Sequence, residues 1–225
     1  MSRHALVTGS SSGIGAAVAR ALLAEGARVT GFDRAPPSIS APGFRAVSVR
    51  LDDAAATAAA LAGIGAVDAL VHAAGVLRIG ALGGLDAEAG SLMWRLHVDA
   101  AIRLCDALAP GMQAGARIVL IGSRAALGAA GRSQYAASKA ALVGLARSWA
   151  KELAARNITV NVVAPAATAT PMLDDPARAG ESPVLPPIGR FVRPEEVAAL
   201  TLFLLSADAA AITGQQILIC GGASL

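Results

Sequence analysis

Three residues near the middle of the chain have types and spacing suited to proton transfer: Ser123, Tyr135 and Lys139. Tyr135 and Lys139 are four positions apart, so in a helix their side chains lie on one face, one turn from each other. A lysine ammonium beside a phenol favours the phenolate and lowers the phenol pKa from its ordinary value of about 10. Such a phenol can exchange a proton with an alcohol oxygen at neutral pH. Solvated helix faces carry the same spacing, so the rest of the chain decides between the two interpretations.

A glycine-rich segment near the N-terminus could hold a cofactor for this chemistry. A short apolar strand at His4–Thr8 runs into TGSSSGIG, positions 8–15, and a helical stretch follows as far as Gly26. In such a strand–turn–helix unit, glycines let the backbone approach a pyrophosphate and the helix N-terminus offers free N–H groups. The segment predicts a dinucleotide site, with an ordinary tight turn as the alternative. A nucleoside-triphosphate P-loop is disfavoured because no Gly-Lys-Ser/Thr follows the turn.

The end of the second predicted strand indicates which dinucleotide binds. Asp33 lies twenty residues beyond Gly13, where a carboxylate can accept hydrogen bonds from both adenosine ribose hydroxyls and repel a 2′-phosphate. Ser12 offers no positive charge for such a phosphate. Both features favour NAD over NADP, whereas the neighbouring Arg34 could accommodate the phosphate and weakens the preference.

The composition fits one large α/β domain. The chain has 225 residues, of which 55% are apolar and 16% charged, which suffices for one core and is short for two. The net charge is +3 and the basic residues are scattered, so we expect no nucleic-acid partner. Apolar runs are too short for a signal peptide or a membrane span, so we expect a cytoplasmic protein without membrane contact. Cys105 and Cys220 are far apart, which predicts reduced thiols and no metal site.

Strand-like and helical segments alternate along the whole chain. This order predicts a single-domain Rossmann fold over residues 1–225, α/β in class, with a doubly wound parallel sheet of about seven strands flanked by helices. We expect one uninterrupted helix over 86–109 and another, carrying Tyr135 and Lys139, that ends near position 156. The irregular stretch 165–189 is predicted to be a substrate lid. The predicted strands are 4–8, 28–32, 44–49, 68–72, 117–121, 158–163 and 216–220.

The motifs together resemble the short-chain dehydrogenase/reductase family, especially its bacterial members labelled 3-oxoacyl-carrier-protein reductase-like. The resemblance implies an oxidoreductase that interconverts an alcohol and a carbonyl by hydride transfer. Tyr135 would be the general acid/base, Lys139 would lower its pKa and hold the nicotinamide ribose, and Ser123 would stabilise the substrate oxygen. The matching motifs are T-G-x-x-x-G-x-G at 8–15, Asp33, H-A-A-G at 72–75, the Ser–Tyr–Lys set, N-x-x-A-P at 161–165, T-P-M at 170–172 and the segment 189–222.

The resemblance also implies a set of cofactor contacts spread along the chain. They come from the glycine-rich turn, from the ends of the next three strands and from the segment after the sixth strand. The residues are Gly9, Ser11, Ser12, Gly13, Ile14, Gly15, Asp33, Arg34, Arg50, Leu51, Ala73, Ala74, Gly75, Tyr135, Lys139, Pro165, Ala166, Thr168 and Thr170.

Four positions depart from the family pattern. The family's catalytic asparagine in the long helix aligns with Asp99, which we expect to hold a relay water as a fourth catalytic residue. Arg50 stands where an aspartate usually meets the adenine, His72 stands for an asparagine, and Ala166 stands for a glycine. We interpret His72 as a hydrogen-bonded structural histidine.

The leading hypothesis is an NAD(H)-dependent oxidoreductase acting on a small secondary alcohol or ketone. One alternative is an NADPH-dependent 3-oxoacyl thioester reductase, and another is a non-catalytic dinucleotide-binding sensor, motivated by Asp99 and Arg50. The resemblance further implies a homotetramer, or a dimer, formed through the helix after Asp86 and the helix that carries Tyr135.

Overall fold

Seven parallel strands form one sheet at the centre of the molecule, in the order β3-β2-β1-β4-β5-β6-β7. The structure is a computed structural model and describes residues 3–175 and 184–225. The strands are β1 (His4–Thr8), β2 (Arg28–Asp33), β3 (Phe44–Ser48), β4 (Ala69–His72), β5 (Arg117–Ile121), β6 (Thr159–Pro165) and β7 (Gln216–Ile219). The predicted parallel α/β sheet is confirmed.

Helices cover both faces of the sheet, which explains why its central strands are buried along their length and mostly apolar. Successive residues of a strand point to opposite faces. Leu6 of β1 belongs to the core layer shared with α4 and α5, whereas Val7 belongs to the layer shared with α1 and α6. The helices are α1 (Gly13–Ala24), α2 (Ala54–Ala62), α3 (Ala87–Trp94), α4 (Ala100–Leu108), α5 (Ser133–Leu153) and α6 (Pro194–Leu205).

The strand order reverses between β1 and β4. From β1 the chain proceeds outward to β2 and β3, and it returns to β4 on the other side of β1. The connections that follow β1 and β4 run in opposite directions, which opens a crevice at the carboxyl ends of these two strands. Ligands of such sheets bind in this crevice. The fold therefore brings the glycine-rich turn after β1 close to the segments that follow β4 and β5.

The predicted long helix between Asp86 and Ala109 is interrupted. Asp86 caps α3, its Oδ1 accepting from Glu88 N at 2.8 Å, but α3 passes through a wider π-helical turn, Arg95–Asp99, before α4 begins. The hydrogen bonds of a π-helical turn span one residue more than those of an α-helix, and such turns are frequent at functional sites.

The predicted lid, 165–189, lies partly outside the described residues. A short turn occupies Pro171–Asp174, and positions 176–183 lie outside the described residues. Within the described parts of the chain, no helix combines the length and apolar character needed to cross a membrane.

Candidate active site

One cavity of about 400 Å³ occupies the crevice at the carboxyl edge of the sheet. It takes in residues from the segments after each of the strands β1 to β6, together with residues of α5. Every predicted catalytic and cofactor residue lines it except Ser11 and Asp99. The fold thus collects residues spread over more than 160 positions into one site.

The glycine-rich turn is packed too tightly for side chains. Gly9 has φ +68°, and a methyl group there would lie 2.9 Å from Ala74 N. At Gly15 it would lie 2.1 Å from Gly9 O, so the turn closes directly onto the first turn of α1. Ser12, at the helix N-cap, makes no side-chain capping hydrogen bond. The first N–H groups of α1 are therefore not capped by the Ser12 side chain, and Gly13, Ile14 and Gly15 line the cavity, as a phosphate site requires.

Asp33 is held at the cavity wall by the backbone. Its Oδ2 accepts from Ser11 N and its Oδ1 accepts from Ala35 N, both at 2.9 Å. Each carboxylate oxygen can accept a second hydrogen bond, so Asp33 retains acceptors for ribose hydroxyls. Ser11 itself lines a smaller neighbouring cavity of about 150 Å³. It therefore supports Asp33 rather than reaching the main cavity.

Arg50 and Leu51 line the far end of the cavity, after β3. The Arg50 guanidinium pairs with Asp52 at 2.7 Å and is largely exposed. Leu51 is buried, and its carbonyl oxygen accepts from Arg103 Nη2 at 2.7 Å. This end offers an apolar wall and a neutralised cation, which suits the edge of a purine ring.

The backbone after β4 is fixed by a buried hydrogen-bond chain. Thr8 Oγ1 accepts from Ala73 N at 3.1 Å and from Ala74 N at 3.0 Å, so its hydroxyl donates to His72 Nδ1 at 2.9 Å. His72 Nε2–H then donates to Leu96 O at 3.0 Å. Burial, with the nearby Lys139 charge, lowers the pKa of His72 to about 4. His72 is a neutral structural histidine, as its isolation in the sequence predicted.

Ser123, Tyr135 and Lys139 line the cavity together. Ser123 Oγ accepts from Ala125 N at 3.1 Å, which leaves its hydroxyl proton for another acceptor. Lys139 Nζ donates to Ile121 O at 2.8 Å and lies 5.9 Å from the centre of the Tyr135 ring. Burial lowers the pKa of the Lys139 ammonium to about 7. The predicted constellation is therefore assembled at the carboxyl end of β5.

The fourth predicted catalytic residue, Asp99, is not part of this group. It is half-buried at the end of the π-helical turn and does not line the cavity. Leu96 and His97 of this turn line the cavity. His97 is fully buried and meets the Tyr135 ring edge-on at 5.6 Å between centroids. The correction has a physical cause: residues two positions apart in a helical turn face different directions, and the buried face is the one that carries His97.

His97 is fixed in one tautomer. Ser138 Oγ donates to Tyr135 O at 2.8 Å, so it accepts from His97 Nδ1–H at 2.9 Å. His97 Nε2 in turn accepts from Val76 N at 3.2 Å. Burial, reinforced by the Lys139 charge, moves the pKa of His97 well below 6.5. The signal in the sequence was a polar residue inside the apolar run Leu96-His97-Val98.

The remaining predicted contacts follow β6. Pro165, Ala166, Thr168 and Thr170 line the cavity, and Thr168 Oγ1 donates to Ala166 O at 2.9 Å. Sequence reasoning missed Arg78, which lines the cavity from the loop after β4. Nothing in its local sequence set it apart from the other scattered basic residues.

Comparisons with known proteins match the geometry. A family model described as enoyl-(acyl carrier protein) reductase matches residues 9–224. The 3-oxoacyl-(acyl-carrier-protein) reductase FabG of Escherichia coli K12 is 37% identical over 239 residues, covering 97% of this chain and 96% of FabG. The chain belongs to the short-chain dehydrogenase/reductase family.

Two further members of this family are instructive. The 2,3-dihydro-2,3-dihydroxybenzoate dehydrogenase of Escherichia coli K12 is 38% identical over 242 residues, covering 99% of this chain and 97% of that protein. A solved structure of a blue fluorescent protein from a metagenomic library, in complex with NADPH, has a TM-score of 0.87 at 31% identity and covers 99% and 98% of the two chains. This short-chain dehydrogenase/reductase is accordingly an oxidoreductase that acts on a CH–OH/C=O pair and uses NAD(P).

Proposed function

We propose that the protein is an NAD(H)-dependent oxidoreductase that interconverts a small secondary alcohol and its ketone, with Tyr135 as the general acid/base. The observation that carries the proposal is that Tyr135 and Lys139 line the same cavity as the glycine-rich turn. The three N–H groups that begin α1 and the two oxygens of Asp33 would hold the dinucleotide. When bound, the dinucleotide supplies or accepts the hydride.

The side chains of this chain divide the remaining work. In the direction of reduction, the hydroxyls of Ser123 and Tyr135 donate hydrogen bonds to the carbonyl oxygen, and Tyr135 passes its proton to that oxygen as negative charge develops there. In the direction of oxidation, the Tyr135 oxygen receives the proton of the alcohol. A charged Lys139 donates one of its three N–H groups to Ile121 O, which leaves two donors for ribose hydroxyls. Its positive charge also favours the tyrosinate form of Tyr135.

The preference for NAD(H) rests on Asp33. Its carboxylate lines the cavity beside Ser12, so a 2′-phosphate would meet a negative charge. Arg34 lines the same end, but it is exposed, and a solvated guanidinium compensates such repulsion only weakly. The structural relative in complex with NADPH is a family member that binds the phosphorylated dinucleotide, so the proposed preference for NAD(H) rests on these local residues alone.

A second candidate function is the NADPH-dependent reduction of a 3-oxoacyl thioester, favoured by the 37% identity to FabG. The relative at 38% identity is named for a cyclic dihydrodiol instead, so identity alone does not choose between the substrate classes. Initial rates with acetoacetyl thioesters and with a panel of secondary alcohols and ketones, each measured with both cofactors, separate the two functions. We expect kcat/KM to favour NAD(H) and simple alcohols or ketones. Thioester turnover that depends on NADPH would reject the proposal in favour of the second candidate.

The non-catalytic sensor hypothesis loses one of its two motivations, since Asp99 lies outside the site. Assembly into a tetramer or dimer and a cytoplasmic location stay predictions. Light scattering of the purified protein tests the first, and a monomer peak would reject it.

A further inference from the structure

Two loops that frame Ser123 and Tyr135 contribute three arginines to the cavity: Arg78 from the loop after β4, and Arg124 and Arg132 from the segment between β5 and α5. Arg124 directly follows Ser123, and Arg132 immediately precedes α5, three residues before Tyr135. Arg78 lies in the loop after β4, which is tied to the Arg132 loop because Gly80 N donates to Gly131 O at 2.9 Å. Three arginines therefore border the catalytic end of the cavity.

Carboxylates are distributed unequally in this cavity. Among the described lining residues, the acids are Asp33 and Asp52, and both belong to the end near β2 and β3. At the catalytic end, Arg78 Nη1 pairs with Asp175 at 3.1 Å and also donates to Leu77 O at 2.8 Å. The neighbouring Asp174 is exposed.

Arg124 is the least compensated of the three. It is half-buried, and it has no hydrogen bond or ion pair with any residue in the described parts of the chain. A guanidinium without a partner in the described parts of the chain keeps its donors available, and an anion can bind it bidentately through charge-assisted hydrogen bonds. Arg124 therefore has the properties of a binding residue awaiting a negatively charged ligand.

The walls around these arginines are apolar. Leu77, Ala125 and Tyr135 are buried in one hydrophobic cluster, and Met172 packs against it. All four line the cavity. A ligand that satisfies both features is small, has an apolar body and carries one anionic group.

We propose that the substrate is a small hydroxy- or oxo-carboxylic acid whose carboxylate is bound by Arg124 with support from Arg78. This proposal rests on the proposed function, because it names the substrate class of the same site. The chemistry of the step is unchanged: hydride and proton are exchanged at the carbinol carbon and oxygen, while the carboxylate serves only for binding. A planar carboxylate matches the guanidinium fork, and the same fork could also hold a phosphate, which the experiment must distinguish.

The test is a titration that requires no turnover. The protein saturated with oxidised cofactor, NAD⁺ or NADP⁺ as it prefers, is titrated by calorimetry with 3-oxocyclohexane-1-carboxylate and, separately, with its methyl ester. A ketone cannot be reduced by the oxidised cofactor, so binding is measured without turnover, and the two ligands differ in the negative charge and one methyl group. We expect the carboxylate to bind at least about tenfold more tightly than the ester, as one charge-assisted pair provides.

Variants locate the charge that is responsible. Arg124→Ala should abolish the preference for the carboxylate, Arg124→Lys should keep part of it, and Arg147→Ala, an exposed arginine on α5 outside the cavity, should keep all of it. Cofactor binding by each variant shows that it is folded. The proposal is overturned if the ester binds as tightly as the carboxylate or if the preference survives Arg124→Ala. It is also overturned if inorganic phosphate displaces the carboxylate at a lower concentration than the carboxylate itself needs. Because binding is read without turnover, these outcomes are distinct from a failure of the proposed oxidoreductase activity.

Discussion

His97 Nδ1 lies 2.9 Å from Ser138 Oγ, and this hydrogen bond joins the π-helical turn to the helix that carries Tyr135 and Lys139. Ser138 passes the interaction on to the Tyr135 carbonyl at 2.8 Å. On its other side, His97 Nε2 accepts from Val76 N, which directly follows the segment 73–75 that lines the cavity. One buried imidazole thus fixes the position of α5 relative to that segment.

A double-mutant cycle measures this connection. His97→Ala should lower the free energy of unfolding by about 2–4 kcal/mol, because it leaves a cavity and two orphaned polar groups. Ser138→Ala should cost less, and the coupling between the two should be about 1 kcal/mol. Urea denaturation of the four proteins gives the value. Thr201, a buried hydroxyl bonded within α6, provides the control cycle with His97, which should be additive. Equal coupling in both cycles would show that the His97–Ser138 bond carries no energy of its own.

Gly75→Ala should be destabilising because of His97. A methyl group at position 75 would lie 2.6 Å from His97 Nε2 and 2.8 Å from its Cδ2, an overlap that costs about 1–3 kcal/mol in a packed interior. In a His97→Ala background most of that cost should disappear. Gly144→Ala, on an open position of α5, should be neutral or stabilising. Thermal unfolding of the unliganded proteins measures these differences in stability. If Gly75→Ala costs as much in the His97→Ala background as in the wild type, the contact between position 75 and His97 is not the cause.

The sequence predicted most of the fold because its local signals agree with each other. The central strands are mostly apolar because both faces of the sheet are covered. Glycine or a capping aspartate such as Asp86 marks the boundaries between elements. The glycine-rich turn and Asp33 were placed correctly because their spacing follows from one strand–turn–helix–strand unit.

The errors lie where the structure depends on distant contacts. The π-helical turn is joined to α5 by a hydrogen bond between residues 41 positions apart, so the local pattern predicted one uninterrupted helix. Alignment with the family's asparagine selected Asp99, whereas the structure places His97 at the cavity. Arg78 was overlooked for the same reason, since its loop is positioned by pairing between Gly80 and Gly131.

Asp33→Asn should move the cofactor preference from NAD(H) towards NADP(H) by about tenfold or more in the ratio of kcat/KM values. The asparagine amide carries no charge to repel a 2′-phosphate. In the wild-type protein both carboxylate oxygens accept hydrogen bonds, from Ser11 N and Ala35 N, and in the variant the NH₂ group cannot accept one of them. Asp106→Asn, an exposed position on α4, controls for the loss of one negative charge. Steady-state rates with the four cofactors give the ratios. A ratio that stays at the wild-type value would remove Asp33 from cofactor selection.

Lys139 should make the unliganded protein less stable at neutral than at alkaline pH. Its folded-state pKa of about 7 lies below the ordinary value of about 10.4, so between these pH values the unfolded chain binds more protons and stability rises with pH. Lys139→Met removes the effect. The stability advantage of the methionine variant should therefore be largest near pH 7 and should shrink towards pH 10. Urea unfolding at both pH values tests this, and a constant difference would mean that the lysine pKa is not depressed.

The most direct test of the account is the turnover of Tyr135→Phe, which removes the hydroxyl and keeps the ring against His97. With an accepted alcohol and saturating cofactor, we predict that kcat falls by about 10²–10⁴-fold, the usual contribution of a general acid/base. Cofactor affinity, measured by fluorescence titration of the same variant, should stay within about threefold of the wild-type value. Turnover within tenfold of the wild-type rate, in a variant that binds cofactor normally, would contradict the assignment of Tyr135 as the proton donor and acceptor.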